Sequence, residues 1–200
     1  MAEEEQAAGC GQDLTEFKAK ITEEVLSRTK FYKDFPRPGV SFMDLFSITQ
    51  DPAYFRKVLD AFKHVIEFEI GRPGEAFNIL VGLEARGFVL GPILALEWGL
   101  PFAAIRKSGK LPGETVKSSY EKEYGGDVVE IQKGILGPES KVLLIDDLLA
   151  TGGTLNAAGE LVRCCDGAKV AGSACVFEIE GLKGRQKLTM NIASVVMLRD

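Results

Sequence analysis

The stretch that decides the fold reads Val142-Leu143-Leu144-Ile145-Asp146-Asp147-Leu148-Leu149-Ala150-Thr151-Gly152-Gly153-Thr154. Its first four residues are branched and apolar, which predicts a buried strand. Two adjacent carboxylates follow, then a loop of small and hydroxyl residues, and a helix is predicted over residues 153–166. A strand, an acidic pair, a glycine turn and a helix in this order indicate a site for a phosphorylated sugar.

The two halves of this stretch suit different parts of such a ligand. Free backbone N–H groups at a helix N-terminus bind phosphate, and Gly152 and Gly153 let the backbone approach it closely. The hydroxyl residues of the loop add further donors. Asp146 and Asp147 repel a phosphate, but they can accept hydrogen bonds from vicinal sugar hydroxyls, as an acidic residue does in dinucleotide folds.

Other interpretations of the stretch are weaker. A Walker loop requires Gly-Lys-Ser/Thr and a dinucleotide-binding turn requires G-x-G-x-x-G, and the stretch contains neither. A solvated acidic pair at an ordinary turn is the structural alternative. Two carboxylates at the end of a buried strand repel each other, however, so a functional use of the pair is favoured.

Length and composition limit the classes of protein. The 200 residues suit one domain over residues 13–200, with a disordered tail predicted for residues 1–12. A formal net charge of −5 argues against broad nucleic-acid binding, and no apolar run is long enough to predict a membrane span. The cysteines lack disulfide or zinc spacing and there is a single histidine, His64, so we expect no metal cage and free thiols in a reducing cytoplasm.

The remaining sequence alternates predicted strands with predicted helices. Strands are predicted over residues 77–82, 101–105, 128–131, 142–145, 170–179 and 192–198, and helices over residues 13–30, 52–70, 87–98, 153–166 and 182–188. Prolines make residues 35–44 irregular, and residues 128–131 are expected in an exposed hairpin. The alternation predicts an α/β domain with a mostly parallel sheet, at whose strand ends the loops after residues 83, 105 and 145 converge.

At the acidic pair and its loop, the chain resembles the phosphoribosyltransferase family of the type I fold. Residues 145–154 are similar to the family's signature for 5-phospho-α-D-ribose 1-diphosphate (PRPP). The resemblance implies that Asp146 and Asp147 bind the ribose hydroxyls. It also implies that the 5′-phosphate is held by Ala150, Thr151, Gly152, Gly153 and Thr154.

Two loops are candidates for the pyrophosphate side. In the family, the loop at residues 84–87 meets the leaving group, and a guanidinium binds phosphate oxygens through parallel donors. A basic turn, residues 106–113, adds three cations within five residues, for which an exposed charged loop is the alternative. The pyrophosphate candidates are Glu84, Ala85, Arg86, Arg106, Lys107 and Lys110.

Further segments resemble the adenine-specific branch of the family. Residues 31–45 are similar to its N-terminal base-binding hood, which implies adenine contacts from Val40, Ser41, Phe42 and Met43. Ser41 and Met43 would act through the main chain, and Met43 departs from the arginine that many relatives carry. The flap loop, residues 107–127, resembles the branch's flexible flap hairpin, which implies that Glu123, followed by Tyr124, exchanges a proton with the purine N7. For Glu178 and residues 181–185 the implied role is packing or subunit contact.

The resemblance implies the reaction of adenine with PRPP to give AMP and pyrophosphate. The transfer would pass through an oxocarbenium-like transition state without a covalent enzyme intermediate. Mg²⁺ would be held mainly by substrate oxygens and water, and the family expectation is a cytoplasmic homodimer. Two alternatives stay open: a related enzyme for hypoxanthine, guanine or orotate, and a PRPP-sensing regulator that lacks catalysis.

Overall fold

A computed structural model describes residues 2–120 and 127–199 of the chain. The strands in these residues are β1 (Lys30–Lys33), β2 (Ser41–Asp44), β3 (Ile79–Leu83), β4 (Phe102–Lys107), β5 (Thr115–Tyr120), β6 (Asp127–Gln132), β7 (Lys141–Ile145), β8 (Leu148–Leu149), β9 (Lys169–Ile179) and β10 (Ile192–Leu198). β1 and β2 form a separate antiparallel ribbon. The other strands form one sheet in the order β10-β9-β7-β3-β4-β6-β5, and β8 pairs with β9. β10, β9, β7, β3 and β4 are parallel, whereas β6 is antiparallel to both β4 and β5, so the prediction of a mostly parallel sheet is confirmed.

Helices cover both faces of this sheet. The described α-helices are α1 (Ala2–Arg28), α2 (Leu45–Thr49), α3 (Pro52–Glu69), α4 (Gly87–Trp98) and α5 (Gly153–Arg163). Helix α3 begins where the sequence predicts, because the Asp51 carboxylate accepts the Tyr54 N–H at 3.0 Å and proline occupies the first helical position. Two short 3₁₀ turns, Glu180–Leu182 and Gly184–Lys187, connect β9 to β10.

Strand β7 shows how the sheet divides the core. Leu143 and Ile145 pack in a hydrophobic cluster with α1, α3 and α4, whereas Val142 and Leu144 pack in a second cluster with α5. All four side chains are fully buried. Because both faces of β7 are covered, its sequence is a continuous apolar run and does not alternate with polar residues.

The N-terminal region differs from the sequence prediction. Helix α1 spans Ala2–Arg28 and so contains most of the helix predicted over residues 13–30. It ends at Arg28, and the unpredicted strand β1 follows it. Strand β2 takes up the end of the segment predicted to be irregular, while the prolines of that segment lie between β1 and β2.

Two further predictions are corrected by the structure. The predicted hairpin is not exposed at its base, because Val129, Glu130 and Ile131 of β6 are buried, and its other strand, β5, was not predicted. The predicted helix over residues 182–188 is replaced by the two 3₁₀ turns, between which Lys183 adopts a left-handed conformation at φ +52°. Among the helices described, none is long and apolar enough to cross a membrane.

Candidate active site

The order of the parallel strands reverses between β3 and β7. β4 lies beyond β3 and β9 lies beyond β7, so the loops that follow β3 and β7 flank one crevice. Ligands of open α/β sheets bind in this crevice, beyond the carboxyl ends of the strands. A cleft there is lined by Arg86, from the loop after β3, and by residues 146–155, from the end of β7 to the start of α5. The structure thus brings these two predicted loops together.

The acidic wall of this cleft consists of Asp146 and Asp147. Asp147 is buried and Asp146 is half-buried, and the Asp147 N–H donates to Asp146 Oδ1 at 2.9 Å. Arg86 donates to Asp147 Oδ2, while Asp147 Oδ1 is buried without a hydrogen-bond partner among the described residues. Burial and the neighbouring Asp147 raise the pKa of Asp146 well above its ordinary value. A buried oxygen without a donor suits a hydroxyl group of a ligand.

The phosphate loop, residues 150–154, leads into α5. Gly152 is the N-cap residue and lies in the left-handed region at φ +84°, which residues with a side chain rarely adopt. No side chain of residues 2–120 or 127–199 caps the helix, and its first intrahelical bond runs from the Asn156 N–H to Gly152 O at 2.9 Å. The N–H groups of the first turn therefore have no acceptor within the helix, which makes them a site for an anion.

Arg86 joins the acidic wall to the ribbon of β1 and β2. Its guanidinium pairs with Asp147 and lies 5.4 Å from the centre of the Phe42 ring. Phe42 in turn packs edge-on against Phe35, with ring centres 5.1 Å apart. Burial opposes the charge on Arg86, but the nearby aspartates raise its pKa above the ordinary value. A cation is therefore fixed between the two carboxylates and an aromatic ring.

The four predicted base-site residues lie on β2 or next to it. Val40 precedes the strand, and Ser41, Phe42 and Met43 belong to it. Ser41 is exposed and Phe42 is half-buried, whereas the Met43 side chain packs in the core. Residues 41 and 43 are two apart in an extended strand, so their main-chain groups point to the same edge. The Met43 side chain is therefore not available to a ligand.

Hydrogen bonds connect the basic turn to Glu84, in the loop after β3. Arg106 Nε and Nη2 donate to the two carboxylate oxygens of Glu84 at 3.1 and 3.0 Å, and Arg106 Nη1 donates to Lys110 O at 3.0 Å. The Lys107 N–H also donates to Glu84, at 3.2 Å. The hydrogen bond from Arg106 is the main reason that the pKa of Glu84 is lowered. The pyrophosphate candidates on the two loops thus form one connected group, with Ala85 and Arg86 next along the chain.

Glu130 shapes the basic turn and was not predicted as part of the site. It is 1% exposed, and its Oε1 accepts the N–H groups of Lys110 and Leu111 at 2.9 and 3.0 Å. Its Oε2 accepts the Thr115 hydroxyl at 3.1 Å. Burial would raise its pKa, but backbone N–H groups of residues 109–111 and this hydroxyl lower the pKa to about 2. A glutamate between apolar strand residues gives no sequence signal for this role, which depends on a turn twenty residues away.

The hairpin of β5 and β6 lies beside α5. The register of the hairpin runs from Thr115 opposite Gln132 to Tyr120 opposite Asp127, and both strands pack against α5. The predicted catalytic residue Glu123 and its neighbour Tyr124 belong to the connection between these strands, which lies outside the described residues. Their predicted roles therefore stay predictions.

A helix N-terminus and vicinal carboxylates at the switch point of a parallel sheet define an α/β protein that binds a phosphorylated sugar. The family described as phosphoribosyl transferase domain matches residues 47–198, and the chain belongs to this family. Adenine phosphoribosyltransferase 1 of Saccharomyces cerevisiae is 44% identical over 165 residues, which cover 82% of this chain and 87% of that protein.

Two further comparisons agree with this assignment. Adenine phosphoribosyltransferase of Homo sapiens is 45% identical over 165 residues, which cover 82% of this chain and 89% of that protein. The crystal structure of the Saccharomyces cerevisiae enzyme with adenine and an imino-altritol bisphosphate matches with a TM-score of 0.82 at 42% identity, over 89% of this chain and 99% of that one. The fold prediction is therefore confirmed.

Proposed function

We propose that this chain transfers the 5-phosphoribosyl group of PRPP to adenine and releases AMP and pyrophosphate. The observation that carries the proposal is the position of Arg86, which pairs with Asp147 on one side and lies beside the Phe42 ring on the other. One continuous site thereby offers donors for a phosphate, acceptors for hydroxyl groups and an aromatic ring. The relatives described above are named for adenine, which supports adenine as the base.

The phosphoribosyl group is oriented by opposite electrostatic preferences at its two ends. The N–H groups of the phosphate loop and of the first turn of α5 bind the 5′-phosphate. Asp146 and Asp147 repel that phosphate and accept hydrogen bonds from the 2′ and 3′ hydroxyls. The same carboxylates stabilise the positive charge that develops on the ribose in an oxocarbenium-like transition state, so no covalent intermediate is required.

The pyrophosphate leaves toward the cations of the two loops. Arg86, Arg106, Lys107 and Lys110 neutralise the charge of the leaving group, and the main chain at Ala85 adjoins it. Glu84 carries a negative charge and therefore acts through Arg106, which it holds by two hydrogen bonds. Neutralisation of the leaving group and alignment of the two reactants supply most of the rate enhancement.

Mg²⁺ is implied by the family, and the acidic wall is compatible with it. Within residues 2–120 and 127–199, no group of three or more His, Cys, Asp or Glu could hold a metal ion. Mg²⁺ prefers oxygen ligands and keeps several waters, which can donate hydrogen bonds to Asp146. When bound, the ion neutralises pyrophosphate charge, and we propose that substrate oxygens and water supply most of its ligands.

Adenine binds at the ribbon of β1 and β2, and a residue of the flap loop transfers the proton. Val40, Ser41 and Met43 contact adenine through the main chain, and Phe42 packs against the ring. Glu123 exchanges a proton with the purine N7 while Tyr124 helps to close the site, a role that the packing of the hairpin against α5 supports. From the family we also propose that the chain forms a homodimer in the cytoplasm.

The proposal is tested by an assay of adenine, hypoxanthine, guanine and orotate, each with PRPP and Mg²⁺. We expect equal amounts of AMP and pyrophosphate with adenine and negligible product with the other bases. Product from another base but not from adenine would show that the specificity is wrong. Binding of PRPP without transfer to any base would instead favour the PRPP-sensing regulator.

A further inference from the structure

The backbone of the phosphate loop contacts the second 3₁₀ turn, Gly184–Lys187, which lies between β9 and β10. A Cβ atom added to Gly184 would lie 2.1 Å from Ala150 O and 3.0 Å from Gly152 N. A Cβ atom added to Gly152 would lie 2.8 Å from Gly184 O. Real Cβ atoms do not approach backbone atoms this closely, so a side chain at residue 184 must displace one of the two segments.

Arg185, the next residue, anchors the turn through its side chain. Its Nε and Nη2 donate to the two carboxylate oxygens of Glu178 at 2.9 and 2.5 Å. Nη2 also donates to Ser194 Oγ at 3.0 Å and Nη1 donates to Ile192 O at 2.8 Å, so the guanidinium is bonded to both β9 and β10. The Ser194 hydroxyl donates to Glu178 at 2.6 Å.

Glu178 connects this anchor to the start of the phosphate loop. It is 3% exposed, and its strand pairs with β8 in a register that sets Glu178 beside Leu149, the residue before Ala150. Burial opposes its charge, but the hydrogen bonds from Arg185 and Ser194 hold its pKa below the ordinary value. The Arg185 guanidinium is bonded to Glu178, Ser194 and Ile192, so it holds the turn at a fixed distance from the loop.

We propose that Gly184, Arg185 and Glu178 are positioning residues that hold the phosphate loop in its anion-binding conformation and thereby set the affinity for the phosphoribosyl substrate. The proposal rests on the proposed function, because it assigns the 5′-phosphate to residues 150–154. These three residues act from behind the loop, and contact with the ligand is made by the loop itself. Their effect is therefore confined to ligands that carry the 5′-phosphate.

Gly184→Ala tests the proposal, with Gly137→Ala as the matched control. A Cβ atom at Gly137 meets no atom of the described residues within 4 Å, and this glycine is not in the left-handed region. Displacement of a binding group by about 1 Å can cost about 10²-fold, so we expect Gly184→Ala to raise the PRPP KM about tenfold to 10²-fold. The adenine dissociation constant should stay within about twofold of wild type, and the control should leave both constants unchanged.

The readout separates positioning from general destabilisation. A merely structural defect lowers the fraction of active enzyme, and hence kcat, without a change in the PRPP KM. A folded Gly184→Ala variant with the wild-type PRPP KM would overturn the proposal. If Gly184→Ala does not fold, Arg185→Lys replaces it, because lysine keeps the charge but lacks the planar fork that bonds both Glu178 oxygens while it also reaches Ser194 and Ile192. A raised PRPP KM in Arg185→Lys then supports the proposal, and a wild-type value contradicts it.

Titration with ribose 5-phosphate distinguishes failure of this proposal from failure of the proposed function. This probe carries the phosphate and the sugar but no base and no leaving group. If the wild-type chain forms no AMP, the proposed function fails, but weaker ribose 5-phosphate binding by the variant would still support the positioning role. Equal binding of the probe by wild type and variant would overturn that role.

Discussion

One carboxylate oxygen of Asp147 is buried without a hydrogen-bond partner among the described residues, although the other is paired with Arg86. Leaving a buried acceptor unpaired is costly, and such sites are retained where a ligand supplies the missing donor. The proposed ribose hydroxyl supplies it here. The same carboxylate also holds Arg86 close to the region where pyrophosphate is expected, so its two oxygens serve different parts of one substrate.

Replacing Asp147 with asparagine keeps the shape of the side chain but removes its charge. We expect kcat/KM for PRPP to fall by about 10²–10³-fold, because a group that stabilises the transition state is lost. Steady-state kinetics at varied PRPP measures this change. Asp60→Asn, on the solvent-exposed side of α3, is the control and should keep wild-type kinetics. An unchanged PRPP KM together with full activity would remove Asp147 from the site.

Glu123 is expected to act on the proton of the base, so its effect should appear in the chemical step. In Glu123→Gln we predict that kcat falls by a larger factor than KM rises. Glu121→Gln, in the same connection between β5 and β6, is the matched control and should resemble wild type. A Glu123→Gln enzyme with wild-type kcat would exclude the acid–base role.

The hairpin and the basic turn depend on the buried carboxylate of Glu130. Its pKa is about 2 in the folded protein against an ordinary value of 4.5, so the folded state binds fewer protons than the unfolded state between these values. The stability that Glu130 contributes is therefore complete above about pH 4.5 and is lost as the pH falls toward about 2. Glu84 and Glu178 have lowered pKa values as well and act in the same direction.

Glu130→Gln should reduce the acid sensitivity of the fold. Urea denaturation at about pH 5 and about pH 3 gives the free energy of unfolding at each pH, and we expect a smaller loss in the variant than in wild type. Glu114→Gln is the control, because the Glu114 side chain on the same hairpin is 80% exposed. If wild type and Glu130→Gln lose equal stability, Glu130 is not the group that titrates.

Elements whose apolar pattern is strong were predictable from the sequence, and those that depend on a partner were not. Helix α4 (Gly87–Trp98) and strand β10 (Ile192–Leu198) have the predicted bounds, because their residues are mostly apolar and their ends are marked by glycine or polar residues. β5 contains lysine, serine and threonine, and its strand conformation follows from pairing with β6. The bonds of Glu130 reach a turn twenty residues away, and those of Arg185 join a turn to two strands, and periodicity reveals neither.

The whole molecule brings its site together at the reversal of strand order between β3 and β7. The acidic wall and the phosphate loop are consecutive in sequence, so a single stretch predicts both. The base side had to be inferred from resemblance, because the ribbon of β1 and β2 is far away in sequence and belongs to another sheet. Arg86, which contacts Asp147 and lies beside Phe42, is the physical link between these two parts.

In the proposed site, one cleft binds the phosphate, the ribose and the base in a fixed order. A crystal structure of the chain with AMP would show this order. We predict that the 5′-phosphate lies on the N–H groups of residues 151–154, that the ribose hydroxyls bond to Asp146 and Asp147, and that adenine lies against Phe42 beside the main chain of residues 40–43. AMP bound in the reverse orientation, or away from β2, would contradict the account.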